Sequence, residues 1–176
     1  NTLAAITACL RLGISPELIH KGVTTFQGVE RRSNYMIRSE RLVFLDDYAH
    51  HPTEITALMR MIRTLHPNKK VTAIFQPHLY TRTRDFASEF ARSLDLADRV
   101  FLLAIYPARE VPIEGITSAS ILNQMILADK RLCSLEEVVD IIDSEDLPEV
   151  LVTIGAGDIN KCVPQIKKSL MARMHY

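Results

Sequence analysis

Nowhere does this chain carry a CxxC pair, a surplus of either charge, an apolar run of membrane-spanning length, or a phosphate loop of the GxxxxGK[ST] or GxGxxG type. Each absence removes a class of function. Lysine plus arginine and aspartate plus glutamate number 21 each, so no global basic field draws the chain to nucleic acid or to an anionic membrane. Any anion has to be held locally. Without an apolar stretch of about 20 residues there is no membrane insertion to expect. The start, Asn1-Thr2-Leu3-Ala4-Ala5, has neither a basic n-region nor a cleavage site, which points to a cytoplasmic protein. Cys9, Cys133 and Cys162 are too few and too dispersed for a zinc cluster or a disulfide framework, and read as reduced packing residues. The missing phosphate loops mean that the chain is not a self-contained nucleotidase or dinucleotide binder by motif. Because it begins with asparagine, it is expected to be a piece of a longer protein.

What is present suffices for one principal domain: 176 residues, 47% of them hydrophobic, can bury a core without a metal or disulfide staple. Residues 1–12 carry apolar side chains at helical spacing and end at Gly13, and Ser15-Pro16-Glu17 opens a second helix over 16–23. Helices then give way to extended segments, which puts a boundary near Gly22–Glu30: residues 1–27 read as a helical tail and 28–176 as the domain proper. Two short strands are expected at 35–39 and 41–45. A helix follows from Pro52, with Ile55, Leu58, Met59, Ile62 and Leu65 on one face. Beyond it strand and helix alternate: strand 71–75, helix 85–97, strand 99–105, helices 117–128 and 135–142, strand 150–155 and helix 159–171. The pattern predicts an α/β, Rossmann-like, mostly parallel sheet with helices on both faces, and ligands at the carboxyl ends of its strands.

Four polar clusters fall on that edge: DDYAHH after strand 41–45, QPHLYTRTR after 71–75, YPARE after 99–105 and GAGD after 150–155. In DDYAHHPTE, Pro52, Thr53 and Glu54 are helix-start grammar, with the residue before them as the cap. Asp46, Asp47, His50 and His51 are left over. Carboxylates and imidazoles together suit metal binding, acid–base chemistry, or hydrogen bonding to a ribose and an anion. A structural zinc site is disfavoured, since no cysteine is near and adjacent histidines do not easily share one metal. His78, Arg82 and Arg84 stand at a helix start, where free N–H groups and guanidinium forks favour a carboxylate or phosphate. The plainer reading of Arg84 is a salt bridge to Asp85 or Glu89, which leaves Arg82 as the stronger anion ligand. The glycines of GAGD would let backbone approach an anion, or simply turn from strand to helix with Asp158 as N-cap.

GVERR (28–32), DDYAHHPTE (46–54), FQPHLYTRTRDF (75–86), YPAREVPIEG (106–115) and LVTIGAGDI (151–159) together resemble the C-terminal domain of the Mur ligases, in the branch that joins L-alanine to UDP-N-acetylmuramate. NTLAAI at the start resembles the tail of the family's central ATP-binding domain. The resemblance runs in order over nearly the whole chain. It implies a three-domain, ATP-dependent, amide-forming ligase of peptidoglycan synthesis that uses Mg2+, ATP, UDP-N-acetylmuramate and L-alanine, with the carboxylate activated as an acyl phosphate.

By resemblance, Asn1 reads the adenine, Arg32 reaches the phosphates, Asp47 holds the ribose and Tyr48 lies near the nucleotide. His50, His78 and Arg82 surround the incoming amino acid. No catalytic residue is assigned within the chain and no metal ligand. The phosphate loop, the magnesium ligands and the UDP-substrate domain are expected on its own N-terminal and central domains, so the chain alone is expected not to turn over. Two positions depart from the family: Ser33 follows Arg31-Arg32 where phenylalanine is usual, and Leu79 stands where some members have a second arginine. The alternatives are the related ligase that recycles a murein tripeptide, which shares AHHPT, and a non-catalytic Rossmann-like binding module.

Overall fold

The computed structural model describes residues 2–26 and 28–174. Two helices lead, α1 (Thr2–Arg11) and α2 (Pro16–Thr25). Ser15 caps α2 by accepting the Leu18 N–H, and Pro16 takes the first turn, where a missing N–H costs nothing. Neither helix has a buried residue, and Leu3, Leu10, Leu12 and Leu18 stand in solvent.

The sheet follows. Its strands are β1 (Asn34–Arg38), β2 (Val43–Asp47), β3 (Val71–Phe75), β4 (Arg99–Leu102), β5 (Lys130–Leu132) and β6 (Val150–Ile154), in the spatial order β1-β2-β6-β3-β4-β5. Only β1 runs antiparallel. The expected α/β architecture holds because each central strand is a short β-branched or aromatic run buried on both faces, as parallel sheets require.

Alternate residues feed two cores. Val43, Leu45, Phe75, Leu102 and Val152 pack with Ile55, Met59 and Ile62 of α3 (Pro52–Leu65) and Phe90 and Leu94 of α4 (Tyr80–Leu94). On the other face, Phe44, Ile74, Phe101 and Leu151 meet Val138 and Ile142 of α6 (Leu135–Ser144) and Ile166 and Leu170 of α7 (Val163–Met174). Each such side chain contributes about 1.5–3 kcal/mol on burial. Among the described residues, no helix is long and apolar enough to cross a membrane.

Register decides where the chemistry sits. Asp47 lies opposite Ile154, Ile154 opposite Phe75, and Phe75 opposite Leu102. Four strands therefore stop in line, and their following loops emerge side by side on one edge.

Several elements differ from the sequence reading. The helix expected over 117–128 is only α5 (Ala119–Leu122). Ser118 Oγ is anchored to the Leu103 carbonyl at 2.6 Å, and the Asp95 carboxylate accepts the N–H groups of Ile126 and Leu127 at 3.0–3.1 Å, drawing that backbone out of the helix. Strand β5 was not anticipated, since Lys130-Arg131-Leu132 is short, largely exposed and has no apolar run. β4 stops at Leu102, three residues early, and α4 begins at Tyr80, so that Arg82 and Arg84 lie in its first turns. The last helix is split into a 3-10 turn, Asp158–Lys161, and α7, whose Pro164 belongs in a first turn.

Candidate active-site edge

DDYAHHPTE divides between fold and surface. Asp46 is buried at 4% exposure, and its Oδ1 accepts the Thr153 hydroxyl of β6 at 2.7 Å. Burial pushes its carboxyl above the usual carboxylate range, although Thr153 and the Arg31 guanidinium, 3.7 Å away, pull the other way. It is a structural acid.

Asp47 faces the opposite side of the strand. Its Oδ2 accepts the Ser33 N–H at 2.6 Å and the Ser33 hydroxyl at 3.1 Å, and its Oδ1 accepts the Ala49 N–H at 2.8 Å. A carboxylate offers about four acceptor positions, so this leaves room for one further donor such as a sugar hydroxyl. Ser33 thus orients Asp47.

His51 and Glu54 form the capping box of α3: His51 Nδ1 accepts the Thr53 N–H at 3.3 Å, and Glu54 Oε2 accepts the N–H groups of His50 and His51 at 2.9 and 3.1 Å. The cap expected before Pro52 is therefore His51 itself.

Arg31 carries a role that sequence reasoning missed. With φ at 58°, it turns back, donates to the Gly155 carbonyl at 2.5 Å and lies 4.8 Å above the centre of the Tyr48 ring. Its own carbonyl accepts the Tyr48 N–H at 2.6 Å. Arg31 thereby ties the entering segment to the ends of β2 and β6. Arg32 is exposed and lines a cavity of about 420 Å³ with Ser33, Asp47, Tyr48, His50 and Glu54.

The second cluster is ordered by two other residues outside the expected set. Gln76, 4% exposed, donates from Nε2 to Asp158 Oδ1 at 2.7 Å and accepts the Ile159 N–H at 2.9 Å. Asp158 is therefore not the N-cap expected of it: Gly157 holds that position without a side-chain bond, and the Asp158 carboxylate is turned to Gln76. The GAGD glycines serve packing rather than an anion. A Cβ on Gly157 would lie 2.4 Å from Gln76 Oε1 and 2.6 Å from Tyr106 Cβ, and one on Gly155 would lie 2.9 Å from the Gln76 carbonyl oxygen.

Tyr106 stacks on His78, with centroids 5.7 Å apart and planes at 26°, and its backbone brackets that residue: Leu79 N–H donates to Tyr106 O, and Tyr106 N–H to Pro77 O. A row of rings results. Tyr48 meets His50 edge-on at 5.3 Å, His50 is 6.1 Å from His78, and His78 lies on Tyr106.

The N-terminus of α4 does not stand open for an anion. Glu110 already occupies it, accepting the Thr81 N–H at 3.0 Å and the Thr81 hydroxyl. Leu79, before the helix, has φ at 75°, a strained value for leucine that its bonds to Tyr106 and Thr83 hold in place. Arg84 is paired with Asp85 at 2.7 Å, its plainer reading. Arg82 instead touches only the His50 carbonyl, at 3.5 Å, and has no ion-pair partner among the described residues, so most of its five donors remain available. Burial first, then Arg82 and His50, lower the pKa of His78, against a smaller opposing pull from Glu110.

Of the expected site residues, Arg32, Asp47, Tyr48, His50, His78 and Arg82 share this edge, and Asn1 lies outside the described residues. A separate cavity of about 550 Å³, lined by Tyr80, Ile105, Ile113, Ile116, Cys133 and Glu137, holds none of them. Burial pushes the Cys133 thiol up to about 11.

An edge with a free guanidinium, two imidazoles and a cavity of mixed polar and apolar lining beside them suits a carboxylate-bearing ligand. The Mur ligase, glutamate ligase domain family matches residues 31–162, which spans all of this edge. The chain belongs to the Mur ligase family. Among named Mur ligases it is 49% identical to the UDP-N-acetylmuramate–L-alanine ligase of Flavobacterium johnsoniae, over 97% of this chain and 38% of that one. It is 48% identical to the enzyme of the same name from Phocaeicola vulgatus, over 94% and 36%. The crystal structure of the UDP-N-acetylmuramate–alanine ligase of Thermotoga maritima superposes with a TM-score of 0.76 at 25% identity, covering 99% of this chain and 36% of that one. The murein peptide ligase of Psychrobacter arcticus shares the fold, with a TM-score of 0.68 at 20% identity over 96% and 36%. This Mur ligase chain thus spans less than two fifths of the length of the curated relatives named here.

Proposed function

We propose that this chain is the C-terminal part of an ATP-dependent ligase that joins L-alanine to UDP-N-acetylmuramate through an acyl phosphate, in cytoplasmic peptidoglycan synthesis. The observation that carries the reading is the placement of His50, His78 and Arg82 beside the Arg32–Asp47–Tyr48 cavity on one sheet edge, in a chain 49% identical to a ligase of that name. Amide formation from an activated carboxylate requires no protein nucleophile. It requires alignment of the amine with the carbonyl and fixed charge for the anionic groups.

The residues divide accordingly. Arg82 takes the alanine carboxylate through its available guanidinium donors, and the ring row from Tyr48 to Tyr106 walls the amino acid. The remaining acceptor position of Asp47 takes a ribose hydroxyl, Tyr48 flanks the nucleotide, and the exposed Arg32 reaches its phosphates. Asn1 reads the adenine. Among the described residues no three His, Cys, Asp or Glu side chains gather to hold a metal, and Asp46 and Asp47 are engaged with Thr153, Ser33 and Ala49. This edge does not fit the magnesium ion the family uses, and no step here is routed through it.

Residues 1–27 are the helical tail of the central ATP-binding domain and 28–176 the C-terminal domain, a division supported by the lack of any buried side chain in α1 or α2. The chain alone is inactive, because no phosphate loop lies within it. The test is phosphate release by the full-length protein supplied with ATP, UDP-N-acetylmuramate and either L-alanine or the murein tripeptide. Turnover with L-alanine is expected; preference for the tripeptide makes the protein a recycling ligase, and turnover with neither makes it a binding module.

A further inference from the structure

Two of the rings at the edge differ in what their Nδ1 atoms meet. His50 Nδ1 lies 2.9 Å from the Tyr48 carbonyl oxygen, an atom that only accepts hydrogen bonds. Nδ1 must therefore carry the proton, and the neutral ring presents a bare lone pair at Nε2. At His78 the constraint is reversed. Its Nδ1 is buried and has no hydrogen-bond partner. A buried N–H without an acceptor costs more than a buried lone pair without a donor, so the proton moves to Nε2. Stacking on Tyr106 and the backbone bracket around residues 77–79 keep the ring from flipping to exchange the two nitrogens.

We propose that His50 and His78 are fixed in opposite neutral tautomers, so that His50 Nε2 takes a proton from the α-ammonium of the incoming amino acid while His78 Nε2–H donates to its carboxylate beside Arg82. This deepens the functional reading above and rests on it. With ring centres 6.1 Å apart, one small amino acid spans both groups.

The step balances as follows. One N–H bond of the ammonium breaks, its electron pair stays on nitrogen, and the proton forms the Nε2–H bond of His50. The freed amine attacks the acyl-phosphate carbonyl, a C–N bond forms, the C–O bond to phosphate breaks, and phosphate leaves with that pair and with the second amine proton. The imidazolium is stabilised by Glu54 Oε2, 3.7 Å from Nδ1, and by the Tyr48 carbonyl. Other groups facing the pair are Arg82 and, through His78, Glu110. Burial, Arg82 and His50 oppose protonation of His78 more than Glu110 favours it.

The full-length protein, labelled with 15N-histidine, reads the tautomers directly. The signal lost in His50→Gln is expected to show the Nδ1–H pattern and the signal lost in His78→Gln the Nε2–H pattern; the same tautomer for both overturns the proposal. Kinetics give a second readout. His50→Gln is expected to lower kcat about 100-fold, with the KM for L-alanine within about threefold. His78→Leu should raise that KM at least about tenfold, and His78→Gln, whose amide N–H replaces Nε2–H, should recover most of the loss. A kcat that stays within about threefold in His50→Gln overturns the proposal. The tautomer measurement needs no substrate, so a protein that does not use L-alanine overturns the functional reading instead.

Discussion

Gln76 Nε2 donates to Asp158 Oδ1 at 2.7 Å, joining the ends of two strands, β3 and β6, whose residues here are 82 positions apart. The same amide accepts the Ile159 N–H at 2.9 Å, so one buried side chain closes the loop after β6 and fixes the loop that carries His78. Gln76→Leu would leave the Ile159 N–H without its acceptor. The expected cost is about 1–3 kcal/mol of stability. Urea unfolding monitored by circular dichroism checks it, and an unchanged midpoint would remove Gln76 from this role.

Gly157 tests the same junction from the other side. A methyl group there meets Gln76 Oε1 at 2.4 Å and Tyr106 Cβ at 2.6 Å, and Tyr106 is held in turn by the His78 bracket. Gly157→Ala is expected to destabilise by about 1–3 kcal/mol, as overpacking does. It should also disturb the Tyr106–His78 stack, visible as a shift of the His78 imidazole resonances. Gly22, whose added Cβ would meet nothing within 4 Å, is the control.

The position of the edge was legible in the sequence, while the fastening of its parts was not. Apolar runs ending at Leu45, Phe75 and Ile154 announce strands, and polar residues directly after them announce a site, because both signals are local. Gln76 and Arg31 escaped because their partners, Asp158 and Gly155, lie 82 and 124 residues away and no periodicity links them. Tyr106 was visible only as one member of YPARE. Glu110 misled in another way: the open helix start that 80–84 advertises is filled by an acid from a different loop. Helix 117–128 failed for a similar reason, since the Asp95 carboxylate competes for its backbone donors.

Asp46 makes a pH signature. Burial raises its pKa, so the native state holds this proton more tightly than the unfolded chain, where the carboxyl titrates near 3.9. Stability contributed by this group is full below that value and falls as pH rises through the higher native value, then levels. The comparison of wild type with Asp46→Asn isolates it from the carboxylates of opposite sign, such as Glu145, which its hydrogen bond with Arg99 lowers despite some burial. The stability difference, wild type minus variant, is expected to decline with rising pH from about 4 upward. A difference that grows with pH would mean that Asp46 gains more from Arg31 and Thr153 than it loses to burial.

Arg82 is the decisive substitution for the functional reading. Its guanidinium has no carboxylate partner among the described residues, whereas Arg84, two positions on, is paired with Asp85. In the full-length protein, Arg82→Ala should raise the KM for L-alanine at least about tenfold, the scale of one lost charged hydrogen bond to a carboxylate. The KM for ATP should stay within about twofold, because the cavity proposed for the nucleotide is lined by Arg32, Asp47 and Tyr48 and not by Arg82. Arg84→Ala should leave both within about twofold, since an exposed pair with a neighbouring aspartate contributes little. Arg82→Lys separates charge from geometry: it keeps the cation but loses the planar fork, so it should recover only part of the alanine affinity. Equal KM values for alanine in wild type and Arg82→Ala would move the carboxylate to another partner on this edge, with His78 the first to examine.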